Sequence, residues 1–242
     1  MSLGLIIIGA TINIYIMSIK GSSDTVKSAR LNYDMEAAMQ LMTNDIRRSG
    51  YWGGAITGSN STLNPFTTGD ANIRILDYTD ADGDTHTDGC ILYTYDVDDG
   101  DTTTTPDLAD GNVNLNEYYG FRMDRNAIWM RSSVLDADAD GVPDATGCGD
   151  GNWERIIDED NISIQKLKFS NDTDNNQYKD YKCLNTSTSP DQLCSVGISA
   201  GDLAVETRQI FISISGVVIN DTSVSKTLSG IVKVRNNRIY VQ

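Results

Sequence analysis

The sequence predicts an α+β protein in which a long N-terminal α-helix packs on an antiparallel β-sheet head. Three observations predict it: an uncharged apolar segment near the start, a helical pattern that continues to about Ser49, and short β-branched runs from Tyr51 onward. Strands and helices do not alternate along the chain, which argues against a doubly wound nucleotide-binding fold. We therefore divide the chain into a helical stem, residues 1–52, and a sheet head, residues 53–242.

The first element is the apolar segment LGLIIIGATINIYIMSI at residues 3–19. It is not typical of a secretion signal, because no basic residue precedes it and no Ala-x-Ala cleavage pattern follows it. A helix of this length spans about 26 Å, somewhat less than the ~30 Å hydrocarbon core of a membrane. We expect the natural segment to begin before Met1, so that the chain is truncated at its N-terminus.

The helical pattern continues from Gly21 to Gly50 without a proline. The glycine and two serines at residues 21–23 are the weakest joint of this helix. Arg47 and Arg48 suit the negative end of the helix dipole, and Gly50 is a typical C-terminal cap. A helix of about 70 Å exceeds what a small domain covers, so its exposed end requires lipid or other subunits. Apolar residues recur at the spacing of one helix face: Val26, Ala29, Tyr33, Ala37 and Leu41, with Ile46 nearby.

Beyond Tyr51 the apolar period changes from helical to alternating, which is typical of half-buried antiparallel strands. The alternation is strictest at residues 209–214 and 229–234. The segment MDRN, residues 123–126, is short enough for a hairpin turn between two paired strands. Strands are predicted at residues 73–79, 90–97, 117–124, 126–133, 162–170, 208–219 and 225–236.

The composition argues against several functional classes. The chain has 34 acidic and 19 basic residues, a net charge of −15 and a pI near 4.3. Nucleic acid is therefore not an expected partner, because phosphate binding needs a clustered basic surface. His86 is the sole histidine in the sequence, so a His-based triad or two-His metal site would depend on it alone. We expect a protein that is not an enzyme.

Two loops have a carboxylate spacing that is typical of calcium sites. In DADADGVPD, residues 136–144, acidic residues alternate before Gly141, as in an EF-hand loop. Gly147 stands where that loop has its bidentate glutamate, so a further ligand such as Asp150 is required. The alternative is a solvated acidic turn. The predicted ligands are Asp136, Asp138, Asp140 and Asp144 in this loop, and Asp80, Asp82, Asp84 and Asp88 in the second loop.

The chain has four cysteines, Cys90, Cys148, Cys183 and Cys194, none in C-x-x-C spacing. An even number behind an apolar segment favours disulfides in an oxidising, extracytoplasmic compartment. Four cysteines allow three pairings. We favour Cys90–Cys148, which would clip the two acidic loops together, and Cys183–Cys194, which would close a ten-residue loop.

One segment carries a family resemblance. NDIRRSGYWGG, residues 44–54, resembles the end of the N-terminal helix in PilW-type minor pilins of type IV pili. Residues 153–170, 206–215 and 232–236 resemble that family's sheet strands more loosely. The resemblance implies a pilin-like fold whose prepilin cleavage site would lie before Met1. It also implies a helix that lies in the inner membrane before assembly and in the core of an extracellular filament afterwards.

We therefore predict a structural subunit of a type IV pilus or pilus-like filament, with its head facing outward and stabilised by calcium. Its partners would be copies of itself or other pilin subunits, bound through the N-terminal helix. Three alternatives remain open: a type II secretion pseudopilin, a low-copy priming or tip subunit, and a membrane-tethered adhesin.

Overall fold

The computed structural model describes residues 2–53, 64–97, 113–136, 146–157, 161–171, 182–185, 189–193, 203–219 and 221–241. Within these ranges the chain forms one α-helix, three short 3₁₀ turns and twelve β-strands. The helix comes first and the strands follow, so the predicted α+β class with an N-terminal helix and an antiparallel head is confirmed.

The helix, α1, runs from Ser2 to Ile46 without a break, and its 45 residues span about 68 Å. It continues through residues 21–23, the joint that the sequence marks as weak. It ends three residues before the predicted Ser49, because the chain tightens there into i−3 hydrogen bonds, from Arg48 N to Asp45 O and from Ser49 N to Ile46 O. Gly50 then reverses the chain with φ +73°, as predicted for a C-terminal glycine.

The strands form three antiparallel sheets, whereas the sequence analysis expected one. The first sheet is a meander of β1 (Arg74–Thr79), β2 (Thr85–Thr94), β3 (Tyr118–Asp124), β4 (Ala127–Ser133) and β5 (Asn152–Arg155). The second is ordered β11 (Asp221–Lys233), β10 (Gln209–Val218), β6 (Ile162–Ser170). The third is ordered β12 (Arg238–Val241), β9 (Leu203–Thr207), β7 (Lys182–Asn185), β8 (Ser189–Leu193).

The predicted hairpin at residues 123–126 is confirmed. Asp124 pairs with Ala127, so two residues make the turn between β3 and β4. Both are in the left-handed region, Arg125 with φ 47° and Asn126 with φ 56°. Positive φ at both central positions gives a type I′ turn, whose twist matches that of the two strands.

The second and third sheets form one ladder with a kink. Arg208 alone separates β9 from β10, whereas residues 234–237 separate β11 from β12. The surplus residues on one side make the ladder bend in the manner of a bulge. Val234 N donates to Arg208 O (3.0 Å), which joins the two sheets at the bend. The predicted strand 225–236 is therefore wrong after Lys233.

The helix packs its C-terminal half on the second sheet through an apolar stripe that is almost fully buried. Two strand glycines allow this close approach: a Cβ at Gly216 would lie 3.3 Å from Met35 Sδ, and one at Gly230 would lie 3.2 Å from Met39 Sδ. The stripe consists of Leu31, Met35, Ala38, Met42 and Ile46. This is a different face of the helix from the one that the sequence analysis singled out.

Candidate assembly surface

Large apolar side chains lie exposed along the N-terminal half of α1. Eight large apolar side chains there are 45–71% exposed, and they point to all sides of the helix. A contiguous apolar surface of this kind marks a site of interaction with protein or membrane. The eight side chains are Ile7, Ile8, Ile12, Ile14, Tyr15, Ile16, Met17 and Ile19.

The polar side chains of this segment bond to the helix backbone. Thr11 Oγ1 donates to Ile8 O (2.9 Å), and Asn13 Nδ2 donates to Gly9 O (2.9 Å). A polar group taken out of water without a partner costs several kcal/mol, roughly 2–7 by transfer scales. These bonds reduce that cost for Thr11 and for the Asn13 NH₂ group, so the segment suits an apolar environment. Asn13 therefore finds a partner within its own helix.

A second apolar stripe runs along the outer face of the packed half of the helix. Tyr33 is 74% exposed, although Met35 two residues later is fully buried. Two residues correspond to about 200° around the helix, so the two side chains lie on nearly opposite sides. The outer stripe consists of five of the six apolar residues that the sequence analysis grouped together: Val26, Ala29, Tyr33, Ala37 and Leu41, all exposed. The sixth, Ile46, is buried in the first stripe. We call the eight stem side chains and this outer stripe the assembly surface.

An ion pair marks the point where the helix meets the head. Lys27 Nζ donates to Asp221 Oδ2 at 2.9 Å, and Ser223 Oγ donates to Asp221 Oδ1 at 2.6 Å. The hydrogen bond to Asp221 raises the pKa of Lys27. The hydrogen bonds from Ser223 and Lys27 lower the pKa of Asp221. The pair connects the helix to the start of β11.

The resembling motif, residues 44–54, holds the other end of the helix on the first sheet. The buried Asp45 carboxylate accepts hydrogen bonds from the hydroxyls of Tyr93 (2.5 Å) and Tyr95 (2.8 Å) at the end of β2. Burial, and then the Asp45 charge, raises the pKa of both tyrosines, so both remain protonated donors. The Arg48 guanidinium lies over the Tyr95 ring, 4.2 Å from its centre. These contacts give the motif a physical role: it fixes the stem to the head.

The kink of the ladder caps the C-terminal end of the helix. The last carbonyls of a helix have no partner within the helix. Here Arg235 N donates to Arg47 O (3.1 Å), and Asn236 Nδ2 donates to Arg48 O (3.0 Å) and Ser49 O (3.1 Å). Gly50 N donates to Thr94 O of β2 (2.8 Å). The sequence analysis missed this cap, although Asn236-Asn237 within a β-branched run is a turn signal.

The predicted ligands of the loop 80–88 lie in a β-hairpin and serve different contacts. Asp80 Oδ1 accepts from Asp82 N and Asp84 N, and Asp80 Oδ2 lies 3.1 Å from His86 Nε2. Burial would raise the pKa of Asp80, but these bonds outweigh it and hold the pKa below its ordinary value. Asp88 is already in β2, which begins at Thr85, and its carboxylate lies 3.6 Å from Lys168 Nζ. Asp82 and Asp84 are exposed.

The other predicted calcium loop ends at a strongly held turn. Asp138, Asp140 and Asp144 lie outside the described residues, and Asp136 is at their edge. Just after this loop in the sequence, Cys148 forms the predicted disulfide with Cys90, 58 residues earlier in the chain. Asp150 Oδ2, proposed from sequence as an extra ligand, accepts from Gly147 N (2.8 Å).

Three arginines hold the same turn, which sequence reasoning missed. Arg74 Nη2 donates to Thr146 O (2.9 Å), and Arg122 Nη1 donates to Cys148 O (2.6 Å). Arg131 is fully buried and donates to Gly147 O (3.3 Å), and burial lowers its pKa to about 10. The available signal was the position of Arg122 and Arg131 within apolar strands, because a buried cation needs partners.

Two kinds of feature are absent from the described residues. No group of three or more His, Cys, Asp or Glu side chains there is arranged to hold a metal ion. No helix among the described residues is both long enough and apolar enough to cross a membrane. The second predicted disulfide stays a prediction, because Cys183 lies in β7 and Cys194 lies outside the described residues.

Comparison with known proteins gives one match. Residues 24–234 match the family PpdB, described as prepilin peptidase-dependent protein B. No curated protein and no solved structure gives a significant match. The matched range starts at the middle of α1 and continues through the head to the kink. Because it covers most of the sequence, the chain belongs to the PpdB family of prepilin peptidase-dependent proteins and is a type IV pilin-associated protein.

Proposed function

We propose that the chain is a structural subunit of a type IV pilus or pilus-like filament, polymerising through its N-terminal helix rather than catalysing a reaction. The observation that carries the proposal is the pair of opposed apolar faces on α1. One face, at Met35 and Met42, is buried against the head, and the other, at Tyr33 and Leu41, points away from it. Towards the N-terminus, residues 3–19 are uncharged all round, which is typical of a helix buried in the core of a large protein or in a membrane.

Burial of the exposed stem side chains in a filament would contribute a large free energy. Burying an apolar side chain contributes roughly 1.5–3 kcal/mol, so the eight exposed side chains of the stem represent on the order of 10 kcal/mol. A core of neighbouring stems would take up this surface, and before assembly the inner membrane would do so. In the filament the head faces outward, which suits its acidic surface.

The family match supports this proposal at a coarser level. Its description links the chain to a prepilin peptidase-dependent system, which includes both pili and secretion pseudopili. Within that system the motif at residues 44–54 favours a PilW-type subunit. The second candidate is a type II secretion pseudopilin, since the same stem would serve its shorter filament.

The experiment is to shear cells, image the released filaments by cryo-electron microscopy, and quantify the chain by mass spectrometry. We expect the chain to form filaments with its helix at the centre. Trace amounts beside another pilin would identify a low-copy priming or tip subunit. Absence from the sheared fraction, with retention in the envelope, would favour the pseudopilin.

We further propose that calcium stabilises the head through the acidic loop 136–144. The support is the spacing of its carboxylates, together with the firmly held turn at its end, Thr146–Cys148, which would reduce the entropy lost on binding. Calcium should raise the melting temperature of the full chain, and chelation should reverse the shift. Asp138→Asn with Asp140→Asn should abolish the shift. Asp82→Asn with Asp84→Asn tests the loop 80–88 in the same way, and equal melting temperatures with and without calcium would refute both sites.

A further inference from the structure

A basic groove lies where the kink of the ladder meets the end of the helix. Its volume is about 450 Å³, and it is lined by Arg47, Lys233, Val234, Arg235 and Asn237. Lys233 and Arg235 are exposed, and Arg47 is partly buried. The backbone bond from Arg235 N to Arg47 O (3.1 Å) fixes the two sides of the groove relative to each other. Three cations therefore share one preformed depression.

These cations are not neutralised by the described part of the chain. Within it, the side chains of Arg47, Lys233 and Arg235 have no ion pair. The buried acids Asp45 and Glu206 have other partners: Asp45 accepts from two tyrosines, and Glu206 Oε2 lies 3.3 Å from Arg238 Nη1. In a chain with a net charge of −15, an unneutralised basic groove is a local reversal of sign. It therefore suits an anionic partner.

The molecule presents a matching anionic group at its other end. The acidic turn, residues 80–84, exposes the carboxylates of Asp82 and Asp84, which have no ion pair within the described residues. Asp80 holds the turn in shape by accepting the backbone N–H groups of both residues, so the carboxylates are presented on a rigid hairpin.

The acidic turn and the basic groove cannot meet within one subunit. Strand β2 runs from Thr85, next to the turn, to Thr94, whose carbonyl accepts the Gly50 N–H at the end of the helix. Its ten residues span about 33 Å. Two complementary patches at opposite ends of one molecule allow a head-to-tail contact, which builds open filaments when the rotation does not close.

We propose that the basic groove of one subunit binds the acidic turn of a neighbouring copy. Carboxylates of Asp82 and Asp84 lie against Arg47, Lys233 and Arg235, and the contact orients the heads while the stems supply the main burial. This inference rests on the proposed function, because stems packed side by side bring the heads into repeated contact. Electrostatic complementarity of this kind selects the register of an interface.

Charge reversal in full-length chains tests the contact, with the sheared fraction quantified by mass spectrometry in chelating buffer so that calcium does not mask the turn. Lys233→Glu with Arg235→Glu should lower the incorporated fraction about tenfold or more, since like charges across an interface are strongly unfavourable. Asp82→Lys with Asp84→Lys should do the same. All four substitutions together should restore incorporation to within about threefold of the wild type. Lys166→Glu, an exposed position on β6, is the matched control and should have no effect.

The outcomes separate the two proposals. Thermal melting of each variant tests for loss of fold, which is not expected because the substituted side chains make no ion pair or side-chain hydrogen bond within the described residues. Unchanged incorporation of the first double variant would overturn the inference and leave the filament function intact. Loss without rescue by the fourfold variant would overturn the acidic turn as the occupant of the groove. Absence of the wild-type chain from filaments, or its presence only in trace amounts, would overturn the repeated contact between copies.

Discussion

The two halves of α1 differ both in composition and in what surrounds them: residues 3–19 carry no charge, whereas the C-terminal half alternates apolar and charged residues. The N-terminal half has Ile7 to Ile19 exposed on all sides, whereas the C-terminal half buries Leu31 to Ile46 on the head and exposes a second stripe. Both halves therefore carry more apolar surface than the head covers. The comparison teaches that packing on the head accounts for only part of the apolar surface of the helix.

The largest expected effect comes from substitutions in the exposed N-terminal half of α1. Ile12→Lys with Ile16→Lys places two charges in the exposed half, where they would be buried without partners in an assembly. We expect the full chain to disappear from the sheared fraction, while the melting temperature of the head stays unchanged. Ser22→Lys with Ser23→Lys, exposed positions within the joint at residues 21–23, is the matched control. A loss of head stability in the first variant would show that the stem supports the fold.

A second prediction compares the two faces of the packed half. Met35→Ala should lower the free energy of unfolding of the full chain by about 2–5 kcal/mol, since it leaves a cavity over Gly216. Tyr33→Ala on the outer face should change it by no more than about 0.5 kcal/mol but should reduce incorporation into filaments. Denaturant unfolding and the shearing assay measure the two effects. Equal destabilisation by both substitutions would contradict the assignment of the faces.

The third prediction concerns the motif that joins the two regions. Asp45→Ala leaves the buried hydroxyls of Tyr93 and Tyr95 without their acceptor, so it should destabilise the chain by about 3 kcal/mol. Once Asp45 is replaced, Tyr93→Phe should have a smaller effect than in the wild type, because the bond it removes is already lost. Denaturant unfolding of the four chains of this cycle gives the coupling. Additive effects would mean that the carboxylate and the tyrosine act independently.

Sequence reasoning predicted the elements of the fold better than their arrangement. The helix, the hairpin at residues 123–126 and the disulfide between Cys90 and Cys148 are confirmed, since each rests on a local signal or a strong chemical constraint. No local signal of this kind tells which face of the helix is buried. Two apolar stripes follow the same helix, and the strand glycines Gly216 and Gly230, distant in sequence, decide which stripe meets the head.

The candidate functional surfaces were likewise predicted only where a local signal in the sequence marks them. The apolar character of residues 3–19 follows directly from composition. The residues of the outer stripe were found from their spacing, but their exposure was not predicted. The kink at residues 234–237 and the groove beside it depend on unequal strand breaks around Arg208, which no single segment reveals. The short strands β5, β7, β8, β9 and β12 were also missed as separate elements, because four or five residues give too little alternation to count. The calcium ligands stay a prediction.

The smallest expected effect lies at the boundary of the two regions, in the pair of Lys27 with Asp221. The pKa of Asp221 is lowered from 3.8. The stability that the ionised Asp221 carboxylate contributes is therefore complete above pH 3.8 and is lost as the pH falls through the lowered pKa. The pKa of Lys27 is raised from 10.5. The stability that protonated Lys27 contributes is therefore complete below pH 10.5 and is lost as the pH rises through the raised pKa. Asp221→Asn should therefore lower the melting temperature slightly at pH values between the pKa of Asp221 and the pKa of Lys27. It should leave the melting temperature unchanged at pH values below the first or above the second. Lys27→Met should give the same profile, because either substitution removes the pair. The same small shift at acidic, neutral and alkaline pH would assign the effect to packing of Asp221 and Ser223 rather than to the ion pair.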